Sequence, residues 1–210
     1  MEAILLSVQP KWCELIANLQ KTMEMRKTAP KETPFKVYLY CTKPKEYFSL
    51  GGGMYACSDS LYRVNGKIYC GDGFEHYNNK IQGLNGKVIG EFICNEIEYF
   101  NYGIQIPDEA TNYLDCYEGY PDWPQLEEQS QVPLDELLRY GNKKGLFGWH
   151  ISNLVIYDRP KELSEFKRIN RNCYYSDLGL AIPDCEQCKD PACMLQKAPQ
   201  SWCYVEVNKK

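Results

Sequence analysis

No apolar run in the 210 residues approaches the roughly 20 needed to cross a bilayer as a helix. Met1 and Glu2 are followed by a short apolar stretch ending at Val8, without the cationic segment or longer apolar core of a secretory leader. A cytoplasmic protein with no membrane partner is therefore expected. Excess positive charge is also missing, since 24 Lys and Arg against 28 Asp and Glu leave a net charge of −4. Coating duplex nucleic acid without sequence preference requires neutralising many phosphates, so that class is excluded, although a local basic pocket is not. There is no internal repeat or low-complexity tract, which removes solenoids and fibrous arrays.

What remains is an ordinary folding composition, 44% hydrophobic and 25% charged, in a length that suits one domain or one domain with an insert. Aromatic residues make up 13% of the chain, enough for a packed core and for stacking surfaces. Eleven cysteines is a high and odd number. In a reducing compartment they read as thiols or metal ligands rather than a disulfide framework.

Residues 3–8 read as a buried strand, and Gln9-Pro10 opens a helix because proline suits a first turn. Trp12, Leu15, Ile16 and Leu19 recur at helical spacing and are expected to face the core. Residues 22–26 then alternate, Met23 and Met25 on one face and Thr22, Glu24 and Arg26 on the other. Residues 36–42 form the next strand. From about 43 to 84 the triple glycine at 51–53, Asn65-Gly66 and Gly71-Asp72-Gly73 punctuate short aromatic strands, which reads as an inserted lobe. Residues 87–100 suggest one long strand, 108–116 and 134–140 two short helices with a loop between them, and 147–157 and 200–207 the last strands.

The most informative residues lie at the corner after the first helix. Glu24 and Arg26 share a strand face and Lys21 stands at the strand entrance, so two cations and a carboxylate converge. The plain alternative is an exposed ion pair on a polar strand face. A fork-shaped guanidinium suits a phosphate or a base edge, Lys21 supplies a point charge, and Glu24 can orient both or accept from a base amino group.

This corner resembles the ASCH family, a PUA-like β-barrel fold with the signature G-x-K-x-x-E-x-R. The resemblance extends over Leu6-Ser7-Val8-Gln9-Pro10-Lys11-Trp12 and Ile16, over Leu146-Phe147-Gly148-Trp149-His150-Ile151, and over Pro199-Gln200-Ser201-Trp202-Cys203-Tyr204-Val205, which are similar to ASCH proteins of bacteria and their phages. Leu19 departs from the pattern, standing where the family has a glycine; Asn18 or Gln20 is then expected to make the turn, or the helix to run on by a residue. The resemblance covers the first forty residues, the strand near Trp149 and the final strand, and implies a PUA-like barrel; with flanking short helices, the lobe at about 43–84, which the resemblance does not cover, and a cysteine-rich C-terminal knuckle at 173–193, an α+β protein is expected. The resemblance also implies a pocket for RNA or a nucleotide-like ligand at Lys21, Glu24 and Arg26, with Trp149, His150, Gln200, Ser201 and Trp202 contributing. Trp12, Trp149 and Trp202 are the candidates for base stacking, although a tryptophan in a strand or at helical spacing is usually core, and Trp12 is placed there.

An alternative implied by the resemblance is hydrolysis of a modified nucleoside or of RNA. Some small ASCH proteins are amidohydrolases that use a lysine base, a strand threonine and a distant glutamate. Lys21 matches the lysine, but Glu24 occupies the threonine position, which leaves Thr22 as the substitute nucleophile. His150 is the candidate base for a ribonuclease. A third class, a phage–host conflict factor that binds a protein or sequesters a nucleotide, follows only from the kinds of genome in which similar proteins occur.

Cys185-x-x-Cys188 and Cys193 have the spacing of metal ligands, with Cys173 as fourth donor and Cys203 second in line. Residues 183–191 are polar and rich in proline, with little apolar content to order them. One structural zinc on four thiolates is the expected cofactor.

Overall fold

The computed structural model describes residues 3–43, 47–51, 54–74, 82–100, 123–142, 144–169 and 195–207. The chain is α+β, as expected. Thirteen strands and three short helices are formed by the described residues, together with a 3-10 turn at Leu163–Glu165.

Strand β1 (Ala3–Val8) leads through helix α1 (Pro10–Ala17) to β2 (Met23–Arg26) and β3 (Phe35–Cys41). β1 and β3 pair in parallel, so their carboxyl ends finish together. They form the middle of a six-stranded sheet with β8 (Val88–Cys94), β11 (Ser152–Lys161), β12 (Phe166–Arg168) and β13 (Trp202–Val207), in the order β11-β8-β3-β1-β13-β12. β2 instead joins β10 (Leu146–His150) and β9 (Ile97–Phe100) in a three-stranded sheet, β2-β10-β9. The ladders of the two sheets stay separate.

Residues 87–100 and 147–157, each expected as one strand, are two strands apiece. The chain turns at Asn95-Glu96 and at Ile151, passing from one sheet to the other. Apolar alternation continues across both turns because each sheet packs on the same core, and so periodicity could not reveal the break.

The segment 47–83 makes a separate sheet of β4 (Tyr47–Gly51), β5 (Met54–Val64), β6 (Lys67–Phe74) and β7 (Gln82–Gly83). The turn between β5 and β6 is Asn65-Gly66, both residues at positive φ, the geometry that favours Asn-Gly in two-residue loops. Leu61, Ile68 and Leu84 continue the main core beneath α1, and Asn18 Nδ2 donates to the Ile68 carbonyl at 3.2 Å.

Three apolar clusters hold these layers. Ile4, Leu6, Val37, Leu39, Phe92 and Trp149 fill the space between the large sheet, the small sheet and α1. Leu5, Tyr38, Phe166 and Val205 cover the outer face of the large sheet. Met23, Met25, Phe100 and Leu146 cover the other face of the small sheet under α2 (Trp123–Ser130) and α3 (Leu134–Gly141). α2 lies in a stretch expected as loop. Pro124 is its second residue, where a missing N–H costs no intrahelical bond, so the proline permits the helix it was read as breaking. The helix expected at 108–116 lies outside the described residues, as does the cysteine-rich segment at 173–193.

Leu19 settles the corner between α1 and β2. The Gln20 N–H donates to the Leu15 carbonyl at 2.9 Å and the Leu19 N–H to the Ile16 carbonyl at 3.0 Å, a Schellman ending with Leu19 in its left-handed position at φ 60°. The leucine itself makes the turn that Asn18 or Gln20 was expected to make. Its side chain is 71% exposed, in contrast to the core role its spacing suggested.

Candidate functional site

The Schellman turn delivers Lys21 to the base of a cavity of about 550 Å³ at the carboxyl ends of the parallel β1–β3 pair. Ser7 and Val8 end β1, Thr42 and Lys43 follow β3, and Gln9 to Trp12 form the opening of α1. Glu24 and Arg26 enter from β2, and Glu136, Leu137 and Tyr140 from α3. Gln200 completes the wall ahead of β13.

Lys21, Glu24 and Arg26 form one connected unit. Arg26 Nη2 lies 2.7 Å from Glu24 Oε1 and donates to the Ser7 carbonyl at 2.8 Å. Lys21 Nζ lies 3.4 Å from Glu24 Oε2 and donates to the Ser130 carbonyl at 2.5 Å. All three residues are buried, with Lys21 only 2% exposed. A surface ion pair is thereby excluded, and strand alternation explains why: Met23 and Met25 are committed to the helices on the other face, which turns Glu24 and Arg26 toward β1. Burial pushes the Lys21 ammonium below its ordinary range, against the opposing pull of the Glu24 carboxylate.

Four cationic side chains, Lys11, Lys21, Arg26 and Lys43, line the cavity against two carboxylates, Glu24 and Glu136. Lys11 Nζ sits 4.4 Å and Lys21 Nζ 5.3 Å from the centre of the Trp12 ring. Lys27 similarly lies 4.8 Å from the Tyr140 ring. The cavity thus combines an excess of positive charge with two aromatic rings in contact with cations.

The other sequence-predicted residues divide. Gln200 lines the cavity. Trp149 does not: it is fully buried and meets Phe35 and Trp202 edge-on with ring centres 5.4 and 5.9 Å apart. The positions are the reverse of those expected: Trp12 is the half-buried ring at the cavity and Trp149 the core ring. Helical spacing marks Trp12 as facing inward, and it does pack against two of the core clusters, but it also lines the cavity. Trp202 donates from Nε1 to Thr28 Oγ1 at 3.1 Å, and Ser201 accepts the Ser7 N–H through its carbonyl at 2.9 Å; neither lines the cavity. His150 also lies outside it, 2.5 Å from Glu98. Thr22 is exposed and outside the cavity wall; its backbone bridges Gln129 and Ile151.

Lys43, Glu136 and Tyr140 are additional wall residues that the sequence reading missed. Lys11 could have been found, since it lies in the stretch Leu6 to Trp12 that carries the resemblance; nothing local marks Tyr140, which α3 brings from more than a hundred residues away. Cys173, Cys185, Cys188 and Cys193, the expected metal ligands, lie outside the described residues. Cys203, second in line for the fourth position, is buried in the outer cluster of the large sheet.

No family model matches the sequence, and no curated protein matches it. Among solved structures the chain is similar to ASCH from Zymomonas mobilis, with 12% identity and a TM-score of 0.49, covering 98% of this chain and 88% of that one. A single-residue mutant of the same protein gives 11% identity, a TM-score of 0.49, and 98% and 89% coverage. These values do not assign the chain to a family.

Proposed function

We propose that the cavity binds RNA or a nucleotide-like ligand, its cations holding phosphate and Trp12 receiving a base. The observation that carries this reading is the buried Lys21–Glu24–Arg26 unit at the base of a cavity walled by Trp12 and two further lysines. A volume of about 550 Å³ is within the range of small-ligand sites, roughly 300–1,000 Å³. The N-terminal turn of α1, which adds positive dipole, forms part of the same wall. Glu24 already spans both cations, so its role is to set their positions and leave the outer cations for the ligand.

Calorimetric titration with nucleoside monophosphates and a short single-stranded RNA tests the reading. Lys11 and Lys43 are exposed, so Lys11→Ala and Lys43→Ala should leave folding intact, weaken binding and flatten its salt dependence. Trp12→Ala should remove about 1–3 kcal/mol of stacking. Absence of binding to every probe, or equal affinity in all three variants, would refute the proposal.

One observation favours the hydrolase alternative: a lysine whose ammonium is disfavoured by burial is suited to accept a proton. Its expected nucleophile has less support, because Thr22 is exposed and Glu24 is engaged by both cations. Turnover of N4-acetylcytidine or RNA that disappears in Lys21→Met would establish it.

A further inference from the structure

We propose that Glu96, Glu98 and His150 form a site for a late first-row divalent cation, zinc being the reference ion. The site is separate from the cavity, whose wall contains none of the three. It shares no residue with the four-cysteine zinc set expected from the sequence.

The register of the small sheet creates it. Gly148 pairs with Glu98 and Trp149 with Ile97, which brings His150 level with Glu96, and the His150 N–H donates to the Glu96 carbonyl at 3.1 Å. Alternation puts Glu96, Glu98 and His150 on one face of the sheet, the face that bears Met23, Phe100 and Leu146 under α2 and α3. Glu24 and Arg26 project from the opposite face. At this end of the sheet, an imidazole and two carboxylates replace the apolar side chains of the helix-covered part.

Their donor atoms all lie within 4.8 Å of one another, and His150 Nε2 is 2.5 Å from Glu98 Oε1. A hydrogen bond joins the two, and a cation can take its place. Zinc bonds of about 2.0–2.2 Å set donor atoms roughly 3.3 Å apart, so Glu98 retreats by less than about 1 Å while exposed Glu96 swings in. The backbone beneath is already held: Asn95 Nδ2 donates to Ser152 Oγ at 2.8 Å, and Ser152 Oγ to the Ile93 carbonyl at 2.8 Å. The Cys94 thiol donates to the Glu96 carbonyl at 3.2 Å. These bonds join the β8–β9 turn to the junction of β10 and β11, which limits the ordering that binding must supply.

One imidazole with two carboxylates suits zinc, cobalt or nickel better than magnesium, which prefers oxygen donors and retains its waters. Three protein donors leave a position for water or a further ligand. The His150 and Glu98 side chains are 28% and 42% exposed, so an ion can reach them from solvent.

Zinc titration of the chelator-treated full-length chain, compared with His150→Gln and Glu98→Gln, tests the site. Each variant should weaken one zinc-binding event by at least about tenfold, the scale on which even supporting residues of metal sites act. The thiolate absorption of the cobalt-loaded chain should not change, which separates this event from any cysteine-bound metal. Independently of the variants, the His150 ring resonances of the wild-type chain should shift on zinc addition. Superimposable isotherms for the three proteins, an unmoved His150 resonance, or competition by magnesium at equal concentration would overturn the proposal.

Discussion

Replacing Leu19 by glycine is expected to stabilise the protein. Leu19 has φ 60° at the left-handed position of the Schellman ending, where a β-carbon crowds the following carbonyl at a cost of about 1–2 kcal/mol. Glycine removes that strain but is freer in the unfolded chain, which offsets roughly 0.4–1 kcal/mol. The side chain is 71% exposed, so little burial is lost. The net gain is about 0.5–1 kcal/mol, or about 1–4 °C in Tm for a chain of this size. Thermal and urea unfolding of Leu19→Gly and Leu19→Ala alongside the wild type would measure it. Alanine retains the β-carbon and should gain nothing. A Leu19→Gly protein no more stable than the wild type would refute the strain argument; an equal gain in Leu19→Ala would assign the effect to the exposed leucine instead. The same turn positions Lys21, so Leu19→Gly should also leave ligand affinity intact.

Burial lowers the Lys21 pKa from 10.5, so between the folded value and 10.5 the unfolded chain holds the proton that the folded chain has released. Stability attributable to Lys21 therefore rises with pH through that window, and subtracting the unfolding curve of Lys21→Met should isolate the rise; a difference flat with pH would contradict it. Trp149→Ala empties a fully buried site and should destabilise the fold by about 3–5 kcal/mol in urea unfolding, whereas Trp12→Ala should change stability far less. The cysteine spacing predicts one thiolate-bound zinc per chain, additional to any ion at Glu96, Glu98 and His150; elemental analysis of protein purified without chelator should show one zinc fewer in Cys185→Ser than in the wild type, and an unchanged count or a zinc-free wild type would end that reading.

Much of the outline was legible because it rests on local rules. The short apolar run at residues 3–8, the β-branched and aromatic residues of 36–42, Pro10 at the start of α1 and Asn65-Gly66 in a hairpin each reflect a preference acting over a few residues. The convergence of Lys21, Glu24 and Arg26 was legible for the same reason, since a turn followed by a strand of period two brings them together wherever the strand is placed.

Tertiary structure decided what those elements face. Alternation states which residues share a side but not which side is covered, and only the packing of α2 and α3 on Met23 and Met25 buried the three charged residues beside β1. Apolar periodicity similarly marked Trp12 and Trp149 alike as inward, and tertiary packing left one of them at a cavity and closed the core around the other. Leu19 shows the limit most directly: its propensity opposes a left-handed turn, and the hydrogen bonds of Leu15 and Ile16 with the chain beyond the helix impose that turn regardless. The sequence alone determined the local elements and the charge cluster, because short-range sterics govern them. Burial, the cavity and the meeting of His150 with Glu96 and Glu98 depended on residues distant in the chain, whose contacts exist only once the sheets have packed.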